Sequence, residues 1–339
     1  ASLCTYYVNL PIHSQSVLKQ RSASILLISV IESILTITAS LSNVSSRHKI
    51  IVLGNGFKGS TVLLDFINSI LKKRYVKVYT IFSRRELASP LLRYALPGII
   101  ITFSKEVKLL VRTYFNKDYG NQPLLLALYP PIDLTIFKPY KKVSDEVKSR
   151  ICAENIITYI GRLNEIRFPL STLKLLIKLI RNLADTKLVI VGLPDGQSLN
   201  WIRYARNVIE KFNAINKVII KRKVMGIEEK ASLLSASKVF IYPAKSNSAT
   251  EPPISVLEAV ACGSTILTTG VDSTREIALQ TNGYIYTHDT IERIIYEALS
   301  QLGINMCGVM WARRNLRLDR FIKKLQVLIN DYLTSNYNN

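Results

Sequence analysis

The chain has 339 residues, 48% of them hydrophobic, which excludes a disordered protein and leaves room for two domains of ordinary size. Its 45 Lys and Arg residues against 24 Asp and Glu residues give a formal charge of +21, which indicates an anionic partner: nucleic acid, a phosphate-bearing substrate or an anionic membrane surface. The four cysteines lack C-x-x-C spacing, which argues against a disulfide framework and a zinc site and favours a reducing compartment.

The most membrane-like run covers residues 23–39. It is about the minimum length for a span and holds Glu32 near its centre, so we expect a buried helix there. No secretory signal is evident, so the expected location is cytoplasmic. The positive charge leaves a peripheral position on the inner face of a membrane as a further interpretation.

Strands and helices alternate along the first part of the chain. Strands are predicted at 3–10, 49–53, 76–82, 99–103 and 124–128, and helices at 16–41, at 61–73 and from about Lys105. Such alternation is typical of a parallel, doubly wound sheet. The polar and charged segment 141–149 is interpreted as a linker to a second domain.

The second part repeats the alternation. Its strands are predicted at 156–160, 188–191, 218–221, 239–242 and 265–267, with helices between them. A basic helix is predicted at 308–333, in which Arg and Lys interleave with Leu, Phe and Ile. We interpret it as a packed helix with a solvated face, and an amphipathic helix on a membrane surface is the alternative.

The most informative stretch runs from Ser246 to Gly263, between two predicted strands. Residues 254–261 have the apolar spacing of a helix, Pro252 and Pro253 suit its first turn, and Gly263 suits its end. A helix N-terminus therefore opens at the carboxyl end of a strand. In open α/β sheets ligands bind at that place, and free N–H groups there favour anions.

The run Glu-Pro-Pro-Ile-Ser-Val-Leu-Glu-Ala-Val-Ala-Cys-Gly resembles the glutamate motif of retaining GT-B glycosyltransferases, which use nucleotide-sugar donors. The resemblance implies that Glu258 binds the donor ribose and that the backbone around Pro253, Ile254 and Ser255 faces the donor sugar. Only six residues separate the two glutamates here, where the family has seven. Thr250 and Glu251 are therefore alternatives for the position near the sugar.

The run Tyr159-Ile-Gly-Arg-Leu-Asn-Glu-Ile-Arg167 is similar to the family's Gly-Arg-Leu-x-x-x-Lys-Gly segment. The similarity implies that Arg162 and Arg167, beside Gly161, clamp the donor diphosphate. Arg167 stands where the family has lysine, and Phe168 replaces the glycine. Arginine keeps the charge and can bind phosphate oxygens in a fork, so a diphosphate clamp is still expected.

The segments 188–192 and 218–224 resemble the strands that flank the family's base pocket. The resemblance implies that backbone near Val224 reads the base, which leaves UDP and GDP both open. The sequence has no Asp-x-Asp motif and its three histidines are widely separated, so neither a metal nor a cofactor is expected. The two arginines and helix N-terminal amides can neutralise a leaving diphosphate instead.

The segment 129–139 resembles the sequence that closes the family's first domain, with Asp133, Phe137 and Pro139 matching. The implied fold is GT-B, with two Rossmann-like domains, a cleft between them and a C-terminal crossover helix. We place the acceptor domain at 1–145 together with a helix at 310–334, and the nucleotide-sugar domain at 150–308.

The resemblance implies a retaining hexosyltransferase of glycan biosynthesis. It would move a sugar from a nucleoside diphosphate to a hydroxyl of a glycan, lipid-linked or protein acceptor. Arg162, Arg167 and Glu251 are the candidate catalytic residues.

Two alternatives stay open at this stage. Residues 54–59 spell G-x-G-x-x-G after a strand, and Ser83-Arg-Arg85 downstream suits a ribose 2′-phosphate, as in NADP-dependent oxidoreductases. A catalytically inactive basic protein that binds a membrane or nucleic acid is the other alternative. Nucleic acid is disfavoured because the sequence shows none of the known binding motifs.

Overall fold

The structure is a computed structural model that describes residues 50–55, 75–81, 84, 87, 98–118, 123–192, 196–246, 251–271 and 273–337. These residues form two parallel sheets with connecting helices, which confirms the predicted α/β class. The predicted strand at 3–10 and the helices at 16–41 and 61–73 lie outside the described residues. Across the part of the chain described, no helix is both long and apolar enough to cross a bilayer.

The first sheet has four parallel strands in the order β1-β2-β3-β4. They are β1 (Ile50–Asn55), β2 (Tyr75–Ile81), β3 (Ile99–Thr102) and β4 (Leu124–Ala127), with helix α1 (Lys105–Asp118) between the last two. All of β3 is buried: Ile100 packs with the cluster around α1, whereas Ile99 and Ile101 pack on the opposite face. Burial on both faces is typical of a parallel sheet.

The second sheet has six parallel strands in the order β10-β9-β8-β5-β6-β7. They are β5 (Asn155–Gly161), β6 (Thr186–Gly192), β7 (Val218–Arg222), β8 (Val239–Tyr242), β9 (Thr265–Thr268) and β10 (Tyr284–Ile285). The helices after α1 are α2 (Lys141–Ile151), α3 (Leu170–Ile180), α4 (Gly196–Lys211), α5 (Ile227–Ala236), α6 (Ile254–Ala261), α7 (Thr274–Gln280), α8 (Ile291–Ser300), α9 (Met306–Asn315) and α10 (Leu318–Tyr337).

The strand order of the second sheet reverses between β5 and β8. From β5 the sheet grows through β6 and β7 on one side, and through β8, β9 and β10 on the other. The loops after β5 and β8 therefore leave the same edge in different directions and open a crevice. A ligand site is expected at such a switch point, at the carboxyl ends of the strands.

The predicted linker at 141–149 is wrong, because this segment is helix α2. Its charged side chains face solvent, and none of its residues is fully buried. Val147 and Ile151 nonetheless pack against the core of the second sheet, and the Tyr140 N–H donates to Ser235 Oγ of α5 at 2.7 Å. A solvated helix and a polar linker have similar composition, which explains the error.

The predicted C-terminal helix is two helices, α9 and α10. They separate at Leu316, which is fully buried and whose carbonyl oxygen accepts the Ile132 N–H at 2.9 Å. Beyond the break, α10 packs Phe321 and Leu325 against the first-sheet cluster that contains Ile101. The C-terminal segment thus returns to the first sheet, which confirms the crossover expected for a GT-B fold.

Candidate active site

The two motifs predicted to bind the donor meet at the switch point. The loop after β5 carries Arg167, whose Nη1 donates to the Ser246 carbonyl at 2.8 Å and approaches the Tyr242 hydroxyl at 3.4 Å. The same two loops are joined by the Lys245 N–H, which donates to the Ile166 carbonyl at 2.8 Å. Arg167 therefore lies between the ends of β5 and β8, at the mouth of the crevice.

Gly161 ends β5 at a place where no side chain fits. A Cβ there would lie 2.6 Å from the hydroxyl oxygen of Tyr159, which donates to the Arg162 carbonyl at 2.8 Å. This bond fixes the turn that leads into the exposed Arg162. Burial raises the pKa of Tyr159, so its hydroxyl stays protonated and able to donate.

Helix α6 follows the loop after β8, which borders the same crevice. Pro253 is its N-cap in an extended conformation, and the half-buried Ile254 and Ser255 are its first residues. First-turn N–H groups have no acceptor within their own helix and bind anions well. The bounds of α6 match the prediction, whereas Thr250 lies outside the described residues.

Glu258 lies one turn into α6 and is only 7% exposed. It shares a helix face with Ile254, four residues earlier. Its carboxylate forms an ion pair with Lys230 of α5. Burial raises the pKa of Glu258, and the positive charge of Lys230 opposes that rise.

Glu251 is completely buried, which the sequence did not predict. Both of its carboxylate oxygens accept bonds from Arg84 of the first half of the chain, from the backbone N–H at 3.1 Å and from Nε at 2.9 Å. Arg84 also pairs with Glu106 of α1 at 2.9 Å. Glu251 thus links the two sheets, and its contact with a sugar stays a prediction.

Arg84 belonged to the arginine pair considered for a ribose 2′-phosphate. Its guanidinium is engaged by two carboxylates, those of Glu251 and Glu106, which leaves it poorly suited to a phosphate. The remainder of the G-x-G-x-x-G motif, residues 56–59, lies outside the described residues.

A second link between the sheets comes from Glu276 on α7, which sequence reasoning missed. Its Oε2 accepts the N–H groups of Lys105 and Glu106 at 3.1 and 3.3 Å, and its Oε1 accepts from the Tyr129 hydroxyl. These amides are the free N-terminus of α1, where a carboxylate is favoured. The sequence could indicate only that the first amides of α1 need an acceptor. It could not indicate Glu276, which lies about 170 residues away in the chain.

The base side of the site lies at the ends of β6 and β7. A Cβ on Gly192 would come within 2.1 Å of the Leu163 side chain, so the close approach of the β5 loop requires glycine. The Lys223 N–H donates to the Gly192 carbonyl at 3.0 Å. Val224 follows and is 70% exposed, and its contact with a base stays a prediction.

The described residues lack the side-chain groupings that would hold a metal ion or form a disulfide. No three side chains of the His, Cys, Asp or Glu type gather there into a group that could hold a metal. Cys152, Cys262 and Cys307 are free thiols, and burial raises the pKa of Cys262 to about 12.

Residues 144–301 match the family model of glycosyl transferases group 1. This segment, just under half of the chain, is similar to the glycosyl transferases of group 1. That range contains Arg162, Arg167, Lys230, Glu251 and Glu258. A search of curated protein sequences finds no match.

Solved structures with a fold similar to that of this chain include three proteins. Anabaena Alr3699/HepE in complex with UDP is 14% identical, with a TM-score of 0.70 over 83% of this chain and 79% of that chain. A UDP-forming α,α-trehalose-phosphate synthase from Burkholderia xenovorans is 11% identical, with a TM-score of 0.69 over 92% and 79%. Sucrose-phosphate synthase from Thermosynechococcus elongatus is 13% identical, with a TM-score of 0.64 over 84% and 74%. The fold is that of the GT-B glycosyltransferases, which confirms the predicted architecture.

Proposed function

We propose that this protein transfers a sugar from a nucleoside diphosphate to a hydroxyl acceptor, with retention of the anomeric configuration. The observation that carries the proposal is that the β5 loop with Arg167 is bonded to the β8 loop, which leads into α6 and Glu258. Each of these groups suits a different part of a nucleotide sugar.

The positive groups suit the diphosphate. Arg162 is exposed, and Arg167 is half-buried at the mouth of the crevice. As the sugar leaves, negative charge grows on the diphosphate, and fixed positive groups stabilise that charge without having to reorganise. Because two guanidinium groups and a helix N-terminus can do this, we propose a reaction that is independent of divalent metal.

The negative group suits the ribose. A charged carboxylate at Glu258 can accept hydrogen bonds from both ribose hydroxyls, and charged acceptors form the stronger bonds. We assign no protein nucleophile, because Glu251 is wholly buried and paired with Arg84.

We propose UDP as the nucleotide of the donor. One protein of similar fold was solved with UDP and with UDP-glucose, and another is described as UDP-forming. Exposed backbone and Val224 beyond β7 are the groups that would meet the uracil.

The acceptor and the location are further parts of the proposal. We propose a cytoplasmic enzyme of glycan biosynthesis, acting on a glycan, lipid-linked or protein acceptor. The formal charge of +21 supports a peripheral position on an anionic membrane surface.

The test measures the melting temperature of the protein with each of a panel of UDP- and GDP-sugars. NADPH and a DNA oligonucleotide serve as controls. A ligand that binds only the native state raises the melting temperature, so UDP-sugars are expected to do so. The purified protein should then release UDP from one of them, and NMR of the product should show the anomeric configuration retained. Stabilisation by NADPH alone, or salt-sensitive DNA binding without binding of nucleotide sugars, would favour the alternatives.

A further inference from the structure

Lys230 lies in the first turn of α5 and is less exposed than the three residues before it. Its side chain is 22% exposed and meets the Glu258 carboxylate, which is 9% exposed. The Lys230 N–H donates to the Gly226 carbonyl at 3.0 Å, which fixes the residue within the first turn. The pair therefore joins α5 to α6 at the residue proposed to bind the ribose.

The acidic residue beside Lys230 on α5 has another partner. Glu229 is 43% exposed and receives Lys223 Nζ, 2.7 Å from its Oε2. That exposed pair is of the kind that contributes little to stability, whereas the Lys230 pair is largely withdrawn from water. Lys230 is therefore directed to Glu258 rather than to the acidic surface of its own helix.

We propose that Lys230 is a positioning residue, which keeps the Glu258 carboxylate charged and oriented so that it can accept hydrogen bonds from the donor ribose. The inference rests on the proposed function, since it assigns Lys230 a task at the same site. Lys230 acts through Glu258 and needs no contact with the nucleotide.

The physical reason is the cost of a buried charge. A carboxylate withdrawn from water binds a proton more readily, and a protonated carboxyl accepts hydrogen bonds more weakly than a carboxylate. An adjacent ammonium opposes this tendency. Without it, Glu258 would become a neutral acid at a higher pH than in the native protein.

The other groups around Glu258 do not replace this charge. Cys262, at the end of α6, has a thiol pKa raised to about 12 and stays neutral. On α9, which packs against α6, the buried residues are uncharged, and Arg313 and Arg314 are exposed. The adjoining strands β8 and β9 contain no Asp, Glu, Lys, Arg or His.

The experiment measures UDP-glucose binding by calorimetry in wild type and Lys230→Met, from about pH 5 to pH 8. UDP-glucose is used because its diphosphate is a diester, whose charge stays constant over this range. Wild-type affinity should change little. The affinity of Lys230→Met should fall by about tenfold per pH unit below the raised pKa of Glu258. Lys230→Arg should restore the wild-type profile.

Two controls accompany this comparison. Lys148→Met removes a lysine of similar exposure, 28%, from the ion pair with Glu154 and should leave the profile unchanged. A ¹³C NMR titration of the glutamate carboxyl carbons, assigned with Glu258→Gln, should show Glu258 titrating at higher pH in Lys230→Met. Circular dichroism confirms that each variant folds, and Lys230→Gln serves if the methionine variant does not.

Equal affinities of wild type and Lys230→Met at every pH would overturn the inference. An affinity loss independent of pH, with Glu258 titrating unchanged, would also overturn it, because Lys230 would then act on the nucleotide itself. Failure of the proposed function looks different: wild type would not bind UDP-glucose at all. The NMR titration would still report on the pair in that case.

Discussion

At the scale of single residues, two buried carboxylates of the site are each paired with a basic side chain. Glu258 is buried beside Lys230, and Glu251 is buried beside Arg84. Truncating one partner of such a pair leaves an uncompensated charge, so conservative variants are needed to separate binding from folding.

Glu258→Gln tests the ribose contact. Losing hydrogen bonds to a charged acceptor costs roughly 1.5–3 kcal/mol, which corresponds to about 10- to 150-fold in affinity for UDP. Calorimetry with a 2′,3′-dideoxy nucleotide provides the control, because the variant should lose little further affinity for a ligand without the hydroxyls. Wild-type affinity in a folded Glu258→Gln protein would remove Glu258 from the site.

The same variant tests the electrostatics without a ligand. Because the pKa of Glu258 is raised above 4.5 in the folded protein, the native state binds this proton more tightly than the unfolded chain. Its contribution to stability is therefore present below the unfolded pKa and is lost as pH rises through the folded pKa. The stability of wild type relative to Glu258→Gln should fall as pH rises over that window, as measured by urea unfolding. A constant difference would show that the carboxyl is not perturbed.

Arg167 tests the diphosphate clamp. Arg167→Ala should weaken UDP binding by about tenfold or more, since a charge-assisted bond is lost, whereas Arg167→Lys should keep much of the affinity. Arg293→Ala, on the exposed face of α8, is the matched control and should bind like wild type. If Arg167→Ala binds as tightly as the control, the loop after β5 does not hold the phosphates.

At the scale of elements, local signals decided which predictions held. The bounds of α6 were predicted as found because Pro252, Pro253 and Gly263 mark its ends in the sequence itself. The break at Leu316 was missed because a tertiary bond to Ile132 determines it. Strand β10 has only two residues and shows no apolar run of its own, so it gave no signal.

The packing of α10 on the first sheet is open to a direct test. Leu325 packs against the cluster that contains Ile99, Ile101 and Phe103, whereas Ile322 on the same helix is 42% exposed. Leu325→Ala should lower the free energy of unfolding by about 1–3 kcal/mol, and Ile322→Ala by less than about 0.5 kcal/mol. Equal effects in urea denaturation would mean that α10 does not anchor through this face.

At the scale of the whole molecule, the sequence predicted the residues of contiguous motifs better than those of long-range ion pairs and hydrogen bonds. Arg162, Arg167 and Glu258 belong to contiguous motifs and were identified as donor-site candidates from them. The sequence did not identify the contacts made by Arg84, Lys230 and Glu276. Their partners are distant in the chain, and no local pattern encodes a long-range contact. The contact between Arg84 and Glu251 spans 167 positions.

Glu276 provides the test of the contact between the two sheets. Its carboxylate caps α1 from the other sheet, and loss of such a cap costs about 1–2 kcal/mol, so Glu276→Ala should lower stability by that amount. Glu297→Ala, in an exposed pair on α8, should change stability by less than about 0.5 kcal/mol. Denaturation that is identical for both variants would argue against this link.

The most direct test of the central claim is a calorimetric titration of UDP-glucose into the wild-type protein, with and without EDTA. The proposal predicts saturable one-to-one binding, competition by UDP and the same affinity in both buffers, because Arg162, Arg167 and the α6 N-terminus supply the positive charge. If UDP-glucose and the other UDP- and GDP-sugars all fail to bind, the switch-point crevice is not a nucleotide-sugar site. Binding that vanishes in EDTA would contradict the metal-independent diphosphate clamp.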